Sequence, residues 1–421
     1  MRNSDYFKGK QVTIVGLARS GLASANLLHG LGARVRVTDA RNNAALRKNA
    51  ACLVSGEIKL ELGGHSEDFM RGSDLLVVSP GVENTSLPVK WAEASGAAVV
   101  SEIEVGFLLC PAQIIAVTGS SGKSTVTTLI AQAFNASGRR CFACGNIGVP
   151  FTAEVAQMRE TDLVSLEISS FQLERIRDFK PRCAVMLNFS RNHLDRHADM
   201  RAYLEAKKRI FLNQDRDDFL VLNADDPALR GLSAQAKAKA VFFRAGSGLN
   251  EDQAAVVAAT GIFGVPRQAC LRVFRDFRGL PHRLEYVAAV GGVKFINDSK
   301  ATVAEAAEWA IKNIDSRLIL IAGGRDKGAD YSRLLSAGRG KVKEVIAIGE
   351  AAGKIKAALA AGLNVSSAKT LEEAVGAAFR KASPGETVLL SPMCSSFDMF
   401  NNYEERGEAF KRAVYSLINS K

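Results

Sequence analysis

The stretch Ile115–Thr125, IAVTGSSGKST, decides the centre of the fold. An apolar, β-branched run enters a turn built on Gly119 and Gly122, followed by Lys123 and the paired hydroxyls of Ser124 and Thr125. Glycines let a backbone close on phosphate oxygens with its N–H groups pointing inward. The lysine adds a point charge for the β- and γ-phosphates, the Ser hydroxyl can ligate Mg²⁺, and the expected helix TVTTLIAQAF offers its positive end. Val117 stands where the longer G-x-x-x-x-G-K-[ST] pattern has its first glycine, leaving the shorter T-G-x-x-G-K-S form. An ordinary Gly/Ser turn is the bland alternative. Lysine, hydroxyls and strand–helix context together favour a nucleotide triphosphate.

Outward from this loop, short β-branched runs alternate with helical stretches, the pattern of α/β domains with mainly parallel sheets. Strands are expected at 11–16, 34–39, 74–79, 114–119, 162–168, 183–190 and 218–224. After a helical zone they resume at 293–299, 318–324, 344–350 and 387–392. The restarts predict three domains: a Rossmann-like N-terminal domain (1–101), a central P-loop ATPase-type parallel-sheet domain (102–279) and a C-terminal Rossmann-like α/β domain (280–421).

Composition narrows the class. A chain of 421 residues exceeds one core, and 47% hydrophobic with 24% charged residues reads as soluble and globular. No apolar run is long enough to span a membrane and the start, MRNSDYFKGKQ, lacks a secretory core, so the cytoplasm is the expected compartment. Seven scattered cysteines fit a reducing environment, and Cys141 with Cys144 is a CxxC lacking the second pair a zinc site needs. The net charge of +11 suits anionic substrates; the basic residues are dispersed and no aromatic-interleaved motif for nucleic acid is present.

The first domain opens VTIVGLARSGLA and reaches Asp39 about twenty residues later, but Ala18 interrupts the glycine fingerprint of a dinucleotide site. A tight βα turn remains, with an acidic residue placed for a ribose or uracil and a helix N-terminus for a diphosphate. A second turn, Ser79–Val82 (SPGV, with Gly81), follows another strand and faces the same edge. In the second domain Glu167 ends a strand beside the P-loop, the expected second anchor for Mg²⁺. NFSRNHLDRH then gathers His193, Asp195 and Arg196 after a further strand, while Lys207 and Lys208 lie on a helix whose simplest reading is a solvated basic face. The third domain supplies GLPHRLE, NDSKAT, GGRDKGADY and SPMCSSFDMFNNYEERG, four polar stretches at strand edges suited to gripping an anionic ligand.

Taken in order, VTGSSGKSTVTTL, GNIG, LEISSFQLE, NHLDRH, AKKRI, NADD, GLPHR, NDSKAT and the C-terminal run resemble the Mur ligase family along essentially the whole chain, and most resemble its D-glutamate-adding branch. The resemblance implies an ATP-dependent amide ligase joining D-glutamate to UDP-N-acetylmuramoyl-L-alanine through an acyl phosphate, in peptidoglycan precursor synthesis. It implies a monomer with small-molecule substrates and no nucleic acid. Gly119, Ser120, Ser121, Gly122, Lys123, Ser124 and Thr125 would hold the ATP phosphates. Ser124 and Glu167 would bind one Mg²⁺; His193 and a carbamylated Lys207 would organise a second. Arg19, Ser20, Asp39, Arg41 and Gly81 match the uridine-diphosphate pocket, and Asn146, Ser169 and Gln172 the sugar and its L-alanine. Asn250, Arg283, Asp298 and Lys300 match positions around ATP. Thr302, Lys327, Ser396, Phe397 and Tyr403 match the D-glutamate pocket. Lys123, Glu167, His193 and Lys207 carry the catalytic roles.

The chain departs from the family pattern at Ser121 (usually Asn), at Asn192 (usually Asp) and around Asn250, where the HNxxN motif survives only as Leu249, Asn250 and Gln253. A sibling ligase for another amino acid and a non-catalytic binder of UDP-sugars are the competing readings.

Overall fold

The computed structural model describes residues 1–193, 196–326 and 328–419. Three sheets organise them. The first holds β1 (Gln11–Val15), β2 (Arg34–Asp39), β3 (Lys59–Leu62), β4 (Leu75–Val78) and β5 (Ala98–Ser101) in the order β3-β2-β1-β4-β5, all parallel. The second holds β6 (Gln113–Thr118), β7 (Cys141–Gly145), β8 (Leu163–Glu167), β9 (Cys183–Met186), β10 (Phe219–Asn223) and β11 (Lys239–Phe243) in the order β11-β10-β9-β6-β8-β7, again parallel. The third holds β12 (Glu285–Val290), β13 (Val293–Asn297), β14 (Leu318–Gly323), β15 (Val342–Ile348), β16 (Val365–Ser367) and β17 (Thr387–Leu390) in the order β12-β13-β17-β14-β15-β16. Only β12 runs antiparallel there, joined to β13 through the turn at Gly291 and Gly292.

Helices on both faces bury the inner strands, which is why β1, β4, β8, β9, β14 and β17 are buried at every position. The chain forms two compact units, Met1–Asp276 with the first two sheets and Phe277–Lys421 with the third. In the first unit a continuous core runs from Val12 and Ile14 of β1 to Ala116 of β6 and Leu222 of β10. Parallel strands end on one side of their sheet, so the loops after β1, β2 and β4, and those after β6 and β8, are delivered to common edges where ligands bind in such folds.

Candidate functional site

In the first sheet, the loops after β1, β2, β3 and β4 enclose a cavity of about 570 Å³ lined by Arg19, Ser20, Asp39, Arg41 and Gly81, with His65 and Glu83 among its other walls. The turn after β1 is held by two glycines. Gly16 has φ +96°, and a Cβ on Gly21 would stand 1.8 Å from the Gly16 carbonyl, so the helix Arg19–Gly30 can approach only without a side chain there. The missing middle glycine therefore leaves the tight turn intact. Asp39 is buried and committed to backbone: it accepts from Leu17 N and Arg41 N, each at 3.0 Å. That carboxylate fixes the loop that carries Arg41 while it lines the cavity, each oxygen keeping a further acceptor site. Arg19 donates to the Gly148 carbonyl at 3.2 Å and thereby reaches the GNIG turn.

The second site grows from β6. Its loop turns into the helix Lys123–Ala136 through Gly122 at φ +77°, where a Cβ would meet the Asp252 carboxylate at 2.4 Å. Lys123 folds back to the Gly119 carbonyl at 2.9 Å and the Ser120 carbonyl at 3.3 Å, bracing the loop in the shape that aims its amides inward. Ser120 bonds Ser190 on both sides of its hydroxyl, and Ser121 N donates to Asn188 at 2.9 Å. Ser124 is buried and Thr125 half-buried one turn into the helix.

Glu167 ends β8, in register with Val117 of β6 on one side and Gly145 of β7 on the other. One carboxylate oxygen accepts from Asn146 Nδ2 at 2.8 Å; the other is buried with no partner. A buried, unpartnered carboxylate oxygen beside a P-loop fits a divalent cation, which would repay its desolvation. Lys207 is 1% exposed and donates to the same Gly119 carbonyl at 2.8 Å. Burial, with the nearby Lys123 charge, holds its amine well below the usual lysine range, against the pull of Glu167. The simple reading of Lys207 as a solvated basic face does not hold; its neighbour Lys208 keeps that role, pairing with Glu205 at 2.8 Å.

His193 adopts φ +56° and packs its ring against Phe171 and Tyr203 at 5.0 and 5.9 Å. His197 is buried beneath it, bonded to Ser170 at 2.9 Å and stacked on Phe171. Arg196 lies over Phe171 at 4.4 Å and donates to the Val82 carbonyl at the cavity wall. Asp195 lies outside the described residues. Ser169 and Gln172 form a capping box at the start of Ser170–Leu173, each bonded to the other, and Asn250 with Gln253 does the same before Glu251–Gly261. These four side chains have local structural work that sequence reasoning did not assign. Cys141 and Cys144 lie on β7, and burial pushes the Cys141 thiol up to about 12 and raises that of Cys144 well above the usual thiol range, the opposite of what a metal ligand needs.

In the second unit, Asp298 and Lys300 follow β13, and Arg283 precedes β12. Burial pushes the Asp298 carboxyl up to about 6, opposed by donors from Leu284 N and Ser391 Oγ and by the Arg283 charge. Lys300 lies 5.5 Å from the Tyr403 ring, and the half-buried Thr302 follows on the same loop. Met393 N bonds the Ala301 carbonyl and Arg325 N the Ser395 carbonyl, so the NDSKAT, GGRDK and SPMCSS loops are laced together. Ser396 is buried while Phe397 is 59% exposed. Lys327 lies outside the described residues.

Sequence reasoning missed the residue that ties these loops. Arg406 is 1% exposed and donates to Ser299 Oγ, the Ser299 carbonyl and the Cys394 carbonyl at 3.0, 2.8 and 3.1 Å. It also missed His65, Asn188 and Asp252, which no motif in the sequence marks.

A P-loop on a parallel sheet, in a chain that carries two further α/β sheets with ligand-type loops, has the parts of an ATP-dependent ligase. Family models agree: residues 10–101 match a Mur ligase MurD-like N-terminal domain, 117–263 the Mur ligase middle domain and 282–394 the Mur ligase glutamate ligase domain. The chain belongs to the Mur ligase family. It is 41% identical to the UDP-N-acetylmuramoylalanine–D-glutamate ligase of Geotalea uraniireducens, covering 97% of this chain and 98% of that protein. It is 40% identical to the corresponding ligase of Acidobacterium capsulatum, covering 97% and 96%. Among solved structures, the UDP-N-acetylmuramate–alanine ligase of Thermotoga maritima shares the fold with a TM-score of 0.62 at 16% identity, covering 98% of this chain and all of that one.

Proposed function

We propose that this chain adds D-glutamate to UDP-N-acetylmuramoyl-L-alanine at the expense of ATP, the reaction named for the curated relatives it matches over nearly its full length. The observation that carries the chemistry is the grouping of Lys123, Glu167 and Lys207 around the Gly119 loop. A carboxylate is a poor electrophile, so the γ-phosphoryl group passes first to the L-alanyl carboxylate, releasing ADP and leaving an acyl phosphate. The D-glutamate amine attacks that carbonyl, and phosphate leaves from the tetrahedral adduct as the amide forms.

Lys123, freed from the loop carbonyls it braces, is placed to follow the charge on the transferring group. Glu167 and Ser124 would hold Mg²⁺, which neutralises phosphate charge during transfer. His193 and Lys207 would organise a second ion, with Lys207 carbamylated. Burial disfavours the charged form of Lys207, and the neutral amine is the nucleophilic form that takes up CO₂, which supports this assignment. Arg19, Ser20, Asp39, Arg41 and Gly81 frame the site read for the uridine diphosphate, with Asn146 leading on toward Glu167. Arg283, Asp298 and Lys300 are assigned to ATP with Asn250, and Thr302, Lys327, Ser396, Phe397 and Tyr403 to D-glutamate.

The functional domains are taken as 1–101, 102–279 and 280–421. We place the enzyme in the cytoplasm as a monomer, as the family resemblance implies; no helix among the described residues is long and apolar enough to cross a membrane. Light scattering checks the monomer.

The test is phosphate release from ATP and Mg²⁺ with UDP-N-acetylmuramoyl-L-alanine, comparing D-glutamate with L-glutamate, glycine, L-lysine and no amino acid. Release that requires both the UDP substrate and D-glutamate supports the reading. Activity with a different amine moves the chain to a sibling reaction, and silence in a folded protein that binds the UDP substrate moves it to a non-catalytic binder.

A further inference from the structure

His65 stands in the wall of the 570 Å³ cavity, on the loop after β3. Its Nδ1 lies 2.8 Å from Thr38 Oγ1, and that hydroxyl also lies 3.0 Å from Glu61 Oε2 and 3.1 Å from the Gly64 carbonyl. Glu61 acts as an acceptor throughout, taking Ser66 N at 3.1 Å and Ser66 Oγ at 2.5 Å. Thr38 has one proton to give and two oxygens that only accept it. If it gave that proton to His65 instead, its oxygen would face both acceptors with lone pairs alone. Fewest lone pairs face one another when Thr38 donates to one of them and His65 Nδ1–H donates to Thr38. The neutral ring then carries its lone pair on Nε2, which makes no hydrogen bond to the described residues.

The position of this acceptor in the sheet says what it reads. The helix N-terminus at Arg19 lies after β1, with Arg19 and Arg41 supplying cations for a diphosphate. The end of β2 is the ribose position of such sheets. Here its Asp39 accepts from Leu17 N and Arg41 N. The loop after β3, the edge strand beyond β2, is the next one outward along the same sheet edge and brings His65 to the cavity wall.

Resting on the uridine-diphosphate reading of this cavity, we propose that His65 is the base-specificity residue, its Nε2 accepting the N3–H of uracil. Cytosine has a lone pair at N3, so the same acceptor repels it. Discrimination follows from one proton held in place by the Glu61–Thr38–His65 relay.

Calorimetric titration with UDP, CDP, 3-methyl-UDP and 2′-deoxy-UDP tests this on wild type, His65→Ala, His65→Phe and Thr38→Val. Thermal melts establish that each variant is folded. Wild type is expected to prefer UDP over both CDP and 3-methyl-UDP by about 10- to 100-fold, the worth of a buried hydrogen bond and an unpaired lone pair. Both His65 variants bring the ratios to within about threefold, and Thr38→Val, which frees the tautomer, gives an intermediate ratio. Wild-type ratios retained in both His65 variants overturn the assignment, as does a wild type that loses affinity for 2′-deoxy-UDP but not for 3-methyl-UDP. A wild type that neither binds UDP nor turns over the UDP substrate defeats the reading of the cavity itself and this inference with it. Turnover with uracil preference independent of His65 defeats this inference alone.

Discussion

Lys123 and Lys207 converge on one acceptor, the Gly119 carbonyl, at 2.9 and 2.8 Å. Two ammonium groups at one oxygen repel each other, and in a buried setting little water screens them. Burial, together with the Lys123 charge, pulls the Lys207 amine well below the usual lysine range. A P-loop cation for phosphate thus stands beside an amine whose charged form is disfavoured. A carbamate on that amine would turn the repulsion between the two lysines into attraction.

Replacing Lys207 by Met is therefore expected to raise stability while abolishing turnover. A lowered folded-state pKa means the unfolded chain binds the proton more tightly, so this lysine costs stability below its ordinary value of 10.5 and the cost fades as pH rises toward it. In bicarbonate-free buffer, Lys207→Met should melt higher than wild type at pH 7, with the gap closing toward pH 10. A lower melting temperature across that range would mean the amine is charged and paired.

Two glycines in one helix should respond with opposite sign. In Gly21→Ala the new Cβ would lie 1.8 Å from the Gly16 carbonyl, forcing the helix Arg19–Gly30 off the turn at a cost of several kcal/mol, roughly the scale of overpacking or more. Gly30, at the other end, meets nothing within 4 Å, and Gly30→Ala should gain about 0.4–1 kcal/mol from the stiffer unfolded chain. Urea denaturation monitored by fluorescence reads both. Equal effects would show that the turn is free to move.

How much of this was legible follows strand position. Every strand read from the sequence lies inside a sheet, and the six missed, β3, β5, β7, β11, β12 and β16, are the edges of the three sheets. An interior strand such as Leu318–Gly323 is buried at all positions and writes a continuous apolar run. An edge strand such as Lys59–Leu62, KLEL, is exposed or half-buried throughout and writes no such run. The site divided similarly. Gly119 to Thr125 and Glu167 announce themselves by spacing, whereas Asp252, Asn188 and Arg406 act through contacts distant in sequence. Asp39 carried a sound positional signal and lines the cavity, but the backbone bonds its carboxylate accepts had no mark in the sequence.

Asp298 should set a pH dependence in the C-terminal unit. Its folded-state pKa is raised from 3.8 to about 6, so the native protein holds this proton more tightly than the unfolded chain. The stability it contributes is present in acid and is lost as pH rises from about 4 to about 6, then stays level. Asp298→Asn should flatten that slope and, above pH 6, be the more stable protein by on the order of 2–3 kcal/mol, less whatever the altered bond to Ser391 costs. Melting temperatures of both proteins from pH 4 to 7.5 decide it. Parallel profiles would mean that Asp298 ionises normally.

Arg406 supports the last prediction. All three of its hydrogen bonds go to neutral oxygens, and burial lowers its guanidinium to about 10. The planar fork spans the Ser299 loop and the Cys394 loop, which carry Thr302 and Ser396 of the proposed amino-acid pocket. Lysine has the charge but not the geometry to reach all three acceptors. Arg406→Lys is therefore expected to raise the KM for D-glutamate by about tenfold or more, corresponding to one lost bond to a charged group. The KM for ATP should change by less than about threefold, and Arg406→Met should add a loss of stability of roughly 3 kcal/mol from the carbonyls left unpaired. Steady-state kinetics with each substrate varied in turn, paired with thermal melts, separate the two effects. A wild-type KM for D-glutamate in Arg406→Lys would show that charge alone, not the three-point fork, holds the loops.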